Sequence, residues 1–135
     1  MSQWSHVNAC IRFDSFLRQG TPTEKELGKM CRWEDESTSH WENAELPCGS
    51  EGSIEYTILS SGGENSLAAN VVAFYGDLRD YENKQEIIDY FERITKDKMI
   101  RSGVLEISIE FQETFIFMYD RNASKWKEVY KESNK

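Results

Sequence analysis

Between residues 33 and 78 the chain has no lysine and no arginine, although its 135 residues hold 16 of them. The same stretch, Trp33 to Leu78, carries nine acids: Glu34, Asp35, Glu36, Glu42, Glu45, Glu51, Glu55, Glu64 and Asp77. The flanks carry +2 and −1, so the formal net charge of −8 belongs to this one segment. A protein that grips nucleic-acid phosphates needs the opposite sign, which excludes direct nucleic-acid binding from the reading. Also missing is any apolar run near the roughly 18 residues of a membrane span. The opening MSQWSHVNAC lacks the basic start and apolar centre of a signal peptide. The expectation is a soluble, cytoplasmic protein. No internal repeat, low-complexity block or linker divides the chain, and 39% apolar with 13% aromatic residues suffices for one core. A single domain over residues 1–135 is expected, with a frayed tail at 131–135.

Recognisable reaction chemistry is scarce as well. Three cysteines, Cys10, Cys31 and Cys48, form an odd set without a secretory signal and read as reduced thiols. Cys31, His40 and Cys48, with Cys10 or His6, would be the metal candidates, but no pair has the close spacing of a zinc site. A Cys48 nucleophile with His6 or His40 as base meets a second obstacle, since surrounding acids raise a thiol pKa and weaken the thiolate. His6 and Cys10 stand four strand positions apart, about 13 Å, too far to bond. Among 24 acids, carboxylate pairs carry no information about acid/base catalysis. The acids Glu34, Asp35 and Glu36 lack the glycine and ligand spacing of a calcium loop. Gly62 and Gly63 sit in a turn with no lysine and no helix pattern after them, which fails as a phosphate cradle. The reading is therefore not an enzyme, with no cofactor and no metal.

What is present is hydrophobic periodicity. Val7, Ala9, Ile11 and Phe13 alternate with polar neighbours from Trp4 to Phe13, predicting a strand with one buried face. Thr21-Pro22-Thr23-Glu24 starts a short helix to about Met30, and a polar, irregular excursion follows from Cys31 to Gly52. Strands are predicted at Ser53–Leu59 and Asn70–Tyr75. Ile87, Ile88, Phe91 and Ile94 repeat at helical spacing from Lys84 to Lys96, with Asn83 as cap and Glu86 three residues on. Leu105–Phe111 and Phe115–Asp120 alternate as a hairpin around Gln112-Glu113, and Lys125–Tyr130 adds an edge strand or packs Trp126 on the core. The fold class is α+β: a mainly antiparallel sheet packed against one long helix, ferredoxin-like or a related sandwich, with a long acidic excursion.

The blocks MSQWSHVNACIRFD, LPCGSEGSIEY and FYGDLRDYENKQEIIDYF resemble a group of small bacteriophage and prophage hypothetical proteins. The resemblance implies a protein made in a bacterial host's cytoplasm, of a kind that often binds and inhibits host machinery. Joined to the charge distribution, it gives a concrete expectation. Glu34, Asp35, Glu36, Glu42, Glu45, Glu51 and Glu55 would occupy the basic groove of a nuclease or other nucleic-acid-binding complex, with Trp33 and Trp41 as anchors. Carboxylates would stand in for phosphates, in the manner of nucleic-acid mimics such as anti-CRISPR proteins. The alternative is a phage structural or assembly protein, or a small oligomeric accessory module.

Overall fold

The computed structural model describes residues 2–14, 22, 27, 47–59, 70–81 and 83–134. Among them run β1 (Trp4–Phe13), β2 (Glu55–Leu59), β3 (Asn70–Arg79), α1 (Lys84–Thr95), β4 (Ile100–Ile109), β5 (Glu113–Asp120) and β6 (Lys125–Ser133). The strands make one sheet in the order β2-β3-β1-β4-β5-β6, every neighbour antiparallel. β3 and β4 both oppose β1 and are therefore parallel to each other with β1 between them. Parallel strands need a crossover, and α1 supplies it. The class is α+β, as the periodicities predict.

Alternation decides which face is buried. In β1, Val7, Ala9, Ile11 and Phe13 point inward, and their partners Phe74, Val72, Leu105 and Ile107 are buried on the same face. α1 lies over that face with Ile87, Tyr90, Phe91 and Ile94. Phe91 meets Phe74 edge to face at 5.0 Å and Trp126 at 6.0 Å between ring centroids. Rings in this geometry gain about 0.5–1.5 kcal/mol beyond their burial. The Asn83 side chain accepts the Glu86 amide at 3.2 Å, the capping interaction expected from the sequence. Trp126 is both on an edge strand and in the core. Its indole donates to Thr95 Oγ1 at 3.2 Å, and its ring fills the space that Gly103 leaves empty.

Three strands are longer than their periodicity suggests. β3 continues through Gly76-Asp77-Leu78-Arg79 because β1 pairs along all of it, and β4 begins at Ile100 for the same reason. β6 reaches Ser133 instead of fraying from residue 131. Its backbone pairs with β5 up to Glu113–Ser133, and Asn134 closes the end by bonding Gln112 O and Ile109 O. Between β5 and β6, Asp120 accepts the amides of Asn122 and Ala123 and the Lys127 ammonium. These bonds, Lys127 first, hold its carboxyl below the usual range.

Most of the expected short helix and of the acidic excursion lies outside the described residues. Pro22 and Leu27 are buried, and the Leu27 carbonyl accepts the Tyr90 hydroxyl at 2.9 Å. From Pro47 the chain makes a tight loop closed by a Cys48–Ser53 bridge. That loop is stitched to the end of β3, with Ser50 N donating to Arg79 O at 2.9 Å and Arg79 N to Glu51 O at 3.0 Å. Gly52 adopts φ +78°, a left-handed conformation that admits glycine readily.

Candidate docking corner

The loop at Cys48–Ser53, the end of β3, the start of β1 and the β4–β5 turn meet at one corner of the sheet. Register explains why. His6 of β1 stands opposite Asp77 of β3 and Ser108 of β4, and its side chain points to the face that α1 does not cover. His6 Nδ1 lies 2.6 Å from Asp77 Oδ1, and Nε2 lies 3.4 Å from Glu110 Oε1. One strand position beyond Leu78, Arg79 reaches Glu51 at 3.1 Å, Asp80 at 3.7 Å and the Ser2 hydroxyl at 3.0 Å. Four carboxylates, Glu51, Asp77, Asp80 and Glu110, thus surround one guanidinium and one imidazole. These pairs are half exposed, so each contributes little stability, from nothing to about 1 kcal/mol. Their main effect is a local excess of negative charge.

The sequence-predicted residues divide sharply. Glu34, Asp35, Glu36, Glu42, Glu45, Trp33 and Trp41 lie outside the described residues. Glu51 stands in the corner, but its carboxylate is shared with Arg79. Glu55 opens β2 on the uncovered face, opposite Tyr75. Asp77, Asp80, Glu110, His6 and Arg79 are not among the docking residues expected from the sequence, although Asp77 belongs to the acid-only segment. A sequence signal existed for Arg79 alone, the first base after the acid-only segment, with Asp80 its chain neighbour; His6 and Glu110 enter through contacts spanning 71 or more residues, as for His6 and Asp77.

The same geometry bears on the chemical alternatives. Cys48 is disulfide-bonded, and Cys10 is free and exposed. This corrects the expectation of three reduced thiols: the odd count leaves room for one bond and one free cysteine. It also removes Cys48 as a nucleophile. Asp77, His6 and Ser108 are neighbours across three strands in the order of a hydrolase triad. Their bonds do not form that relay, since His6 Nε2 faces Glu110 while Ser108 Oγ lies 2.9 Å from Thr114 Oγ1 and 3.4 Å from Asn134 Nδ2. Among the described residues, no group of three His, Cys, Asp or Glu side chains is arranged to hold a metal ion. None of their helices is long and apolar enough to cross a membrane. A hollow of about 360 Å³ lies at the far end of α1, lined by Asp89, Glu92, Arg93, Thr95, Lys96 and Ser124. Its charges balance, and the Glu92 carboxylate is engaged by the Trp126 amide at 3.2 Å.

Comparison with protein-family models, with curated proteins and with solved structures gives no match.

Proposed function

We propose that this chain is a non-enzymatic interaction protein that presents its acidic segment to a basic, nucleic-acid-binding protein. The observation that carries the reading is the convergence of four carboxylates at one corner, Glu51 and Asp80 on Arg79, and Asp77 and Glu110 on His6, with Glu51 and Asp77 drawn from the acid-only segment. Carboxylates spaced over a corner attract a basic groove at long range, and association then displaces counterions from both surfaces. In its finer form, the protein is a phage-type inhibitor acting in a bacterial cytoplasm, with the corner and the segment carrying Glu34 to Glu45 standing in for nucleic-acid phosphates. We read the strand order β2-β3-β1-β4 with its α1 crossover as a ferredoxin-like core, extended by β5 and β6.

The test begins with capture from a bacterial lysate at low and high salt, followed by reassembly with the purified captured protein and competition by duplex DNA. A mimic is displaced by DNA and weakens as salt rises. Joint replacement of Glu51, Glu55, Asp77 and Asp80 by their amides should lower affinity at least about tenfold, or 1.4 kcal/mol. Unchanged affinity in that variant would sink the reading.

A second reading, an assembly or oligomeric accessory protein, is favoured by a different observation: the uncovered face of the sheet.

A further inference from the structure

The face opposite α1 is a broad open surface with its own pattern. One row across the strands runs Thr57, Ala73, Cys10, Val104, Met118, Lys127. The next runs Glu55, Tyr75, Asn8, Glu106, Ile116, Tyr130. The first row is low at its centre, where Ala73 and Cys10 are small. The second stands higher, with Tyr75 43% and Tyr130 45% exposed. Val104 and Met118 are also exposed, at 43% and 49%. An antiparallel sheet with one wet face ordinarily shows polar residues there, and this row is mostly apolar.

We propose that a second copy of this chain covers the face, packed sheet on sheet with its strands running antiparallel to the first. This rests on the second, oligomeric reading and competes with the first for one surface, since Glu55 and Asp77 lie on the same face; the mass of the free chain separates the two. Three features select that occupant. The first is area: three of the six strands have ten residues, about 33 Å, the others five to nine, and six strands span about 24 Å, so each copy offers at most about 800 Å², the half-share of a standard specific interface. The second is shape. A two-fold axis in the plane between the sheets, perpendicular to the strands and passing between the two rows, sets each row over the other. Tyr75 of one copy, which leans toward its own Thr57 with 3.3 Å between their hydroxyls, then faces the row carrying Ala73 and Cys10 of its partner, across the roughly 10 Å that separates packed sheets. The third is charge. The face is unevenly charged along the strands, with Arg12, Lys125 and Lys127 outnumbering Asp120 toward one end, and Asp77 and Glu132 outnumbering Arg79 toward the other. Antiparallel stacking puts opposite ends together, whereas parallel stacking would oppose like charges.

Edge pairing through β6 is a poorer route to the same stoichiometry. Centred on Val129, on Glu128 or on Tyr130, self-pairing sets Lys127 against Lys131, Lys125 against Lys131, or Glu128 against Glu132. Like charges directly opposite in a ladder protect an edge from its own kind.

The test is sedimentation equilibrium of the full chain over a range of concentrations, with the Val104→Glu, Met118→Glu double variant alongside. Both replaced side chains are about half exposed in the single chain, so the variant keeps its circular dichroism. The expected result is the mass of two chains for the parent and of one for the variant, a dissociation constant weakened at least about tenfold. Alkylation of Cys10 supplies a second readout needing no variant: its rate in the parent should fall as protein concentration rises. A parent that sediments as one chain throughout, a dimer that survives both glutamates, or a Cys10 rate indifferent to concentration each overturns the proposal.

Discussion

The two faces of the sheet are built from the same strands, and they differ in what one substitution does. Under α1, Phe74, Phe91, Ile11 and Leu105 are 0–2% exposed, and Phe91 joins Phe74 and Trp126 through ring contacts at 5.0 and 6.0 Å. Across the backbone, one residue along, Tyr75, Cys10, Val104 and Met118 stand in solvent in the single chain. The contrast teaches that apolar side chains on this fold have two meanings. On the inner face they hold the chain together, and on the outer face they are available to something else.

The largest expected effect breaks the inner face. Phe91→Ala removes the ring that joins Phe74 to Trp126 and should cost about 3–5 kcal/mol, read by urea denaturation. Tyr75→Ala in a monomeric background should stay within about 0.5 kcal/mol, as surface changes do. Equal losses at the two positions would erase the distinction between the faces. Next is the disulfide at Cys48, which ties the loop at the sheet's end. Reduction should lower stability by about 2–4 kcal/mol, and under native, non-reducing conditions iodoacetamide should modify Cys10 and leave Cys48 untouched. Full reactivity of Cys48 before reduction would remove the tether from the account.

A smaller effect is expected at Gly103, where an added methyl would lie 2.6 Å from the Trp126 indole. Gly103→Ala should cost about 1–3 kcal/mol and change the Trp126 fluorescence, because the inner face cannot absorb one extra carbon. The mildest lever is alkaline pH. Burial, and then the bond donated to Glu86, push the Tyr81 hydroxyl well above its ordinary 10.0, and burial does the same to Tyr90 against the opposing effect of Arg93. Because the folded values are raised, their stabilising contribution is complete below pH 10 and is lost as pH climbs beyond it. Melting temperature should therefore fall above about pH 10. Ultraviolet titration should count fewer ionised tyrosines in the native chain than in the unfolded one.

Much of the inner face was legible in the sequence, because burial imposes a period. Val7 to Phe13 and Ile87 to Ile94 announce a strand and a helix with bounds within a residue of those observed. Where main-chain pairing and not burial holds a strand, the period disappears. Gly76-Asp77-Leu78-Arg79, Ile100-Arg101-Ser102-Gly103 and the end of β6 belong to strands only because a neighbour runs alongside. The corner was legible only as an excess of charge. Composition shows that acids outnumber bases, but it does not show which of 24 acids will reach His6 or Arg79 from across the sheet. The three cysteines misled because an odd number suggests no pairing, although it is equally one pair and a remainder.

The central place of β1 has a consequence in time. Of the described strands it leaves the ribosome before the others, yet its partners are β3 and β4, which end at Arg79 and Ile109. Its two edges therefore wait, unpaired, while most of the chain is made. Sheets closed by such distant pairings fold on the order of milliseconds to seconds, and an exposed strand of alternating Val, Ala, Ile and Phe invites association with other nascent chains meanwhile. β1 is thus secured on both sides only once the stretch to Ile109 is made, and expression yield should depend on how fast that stretch is translated.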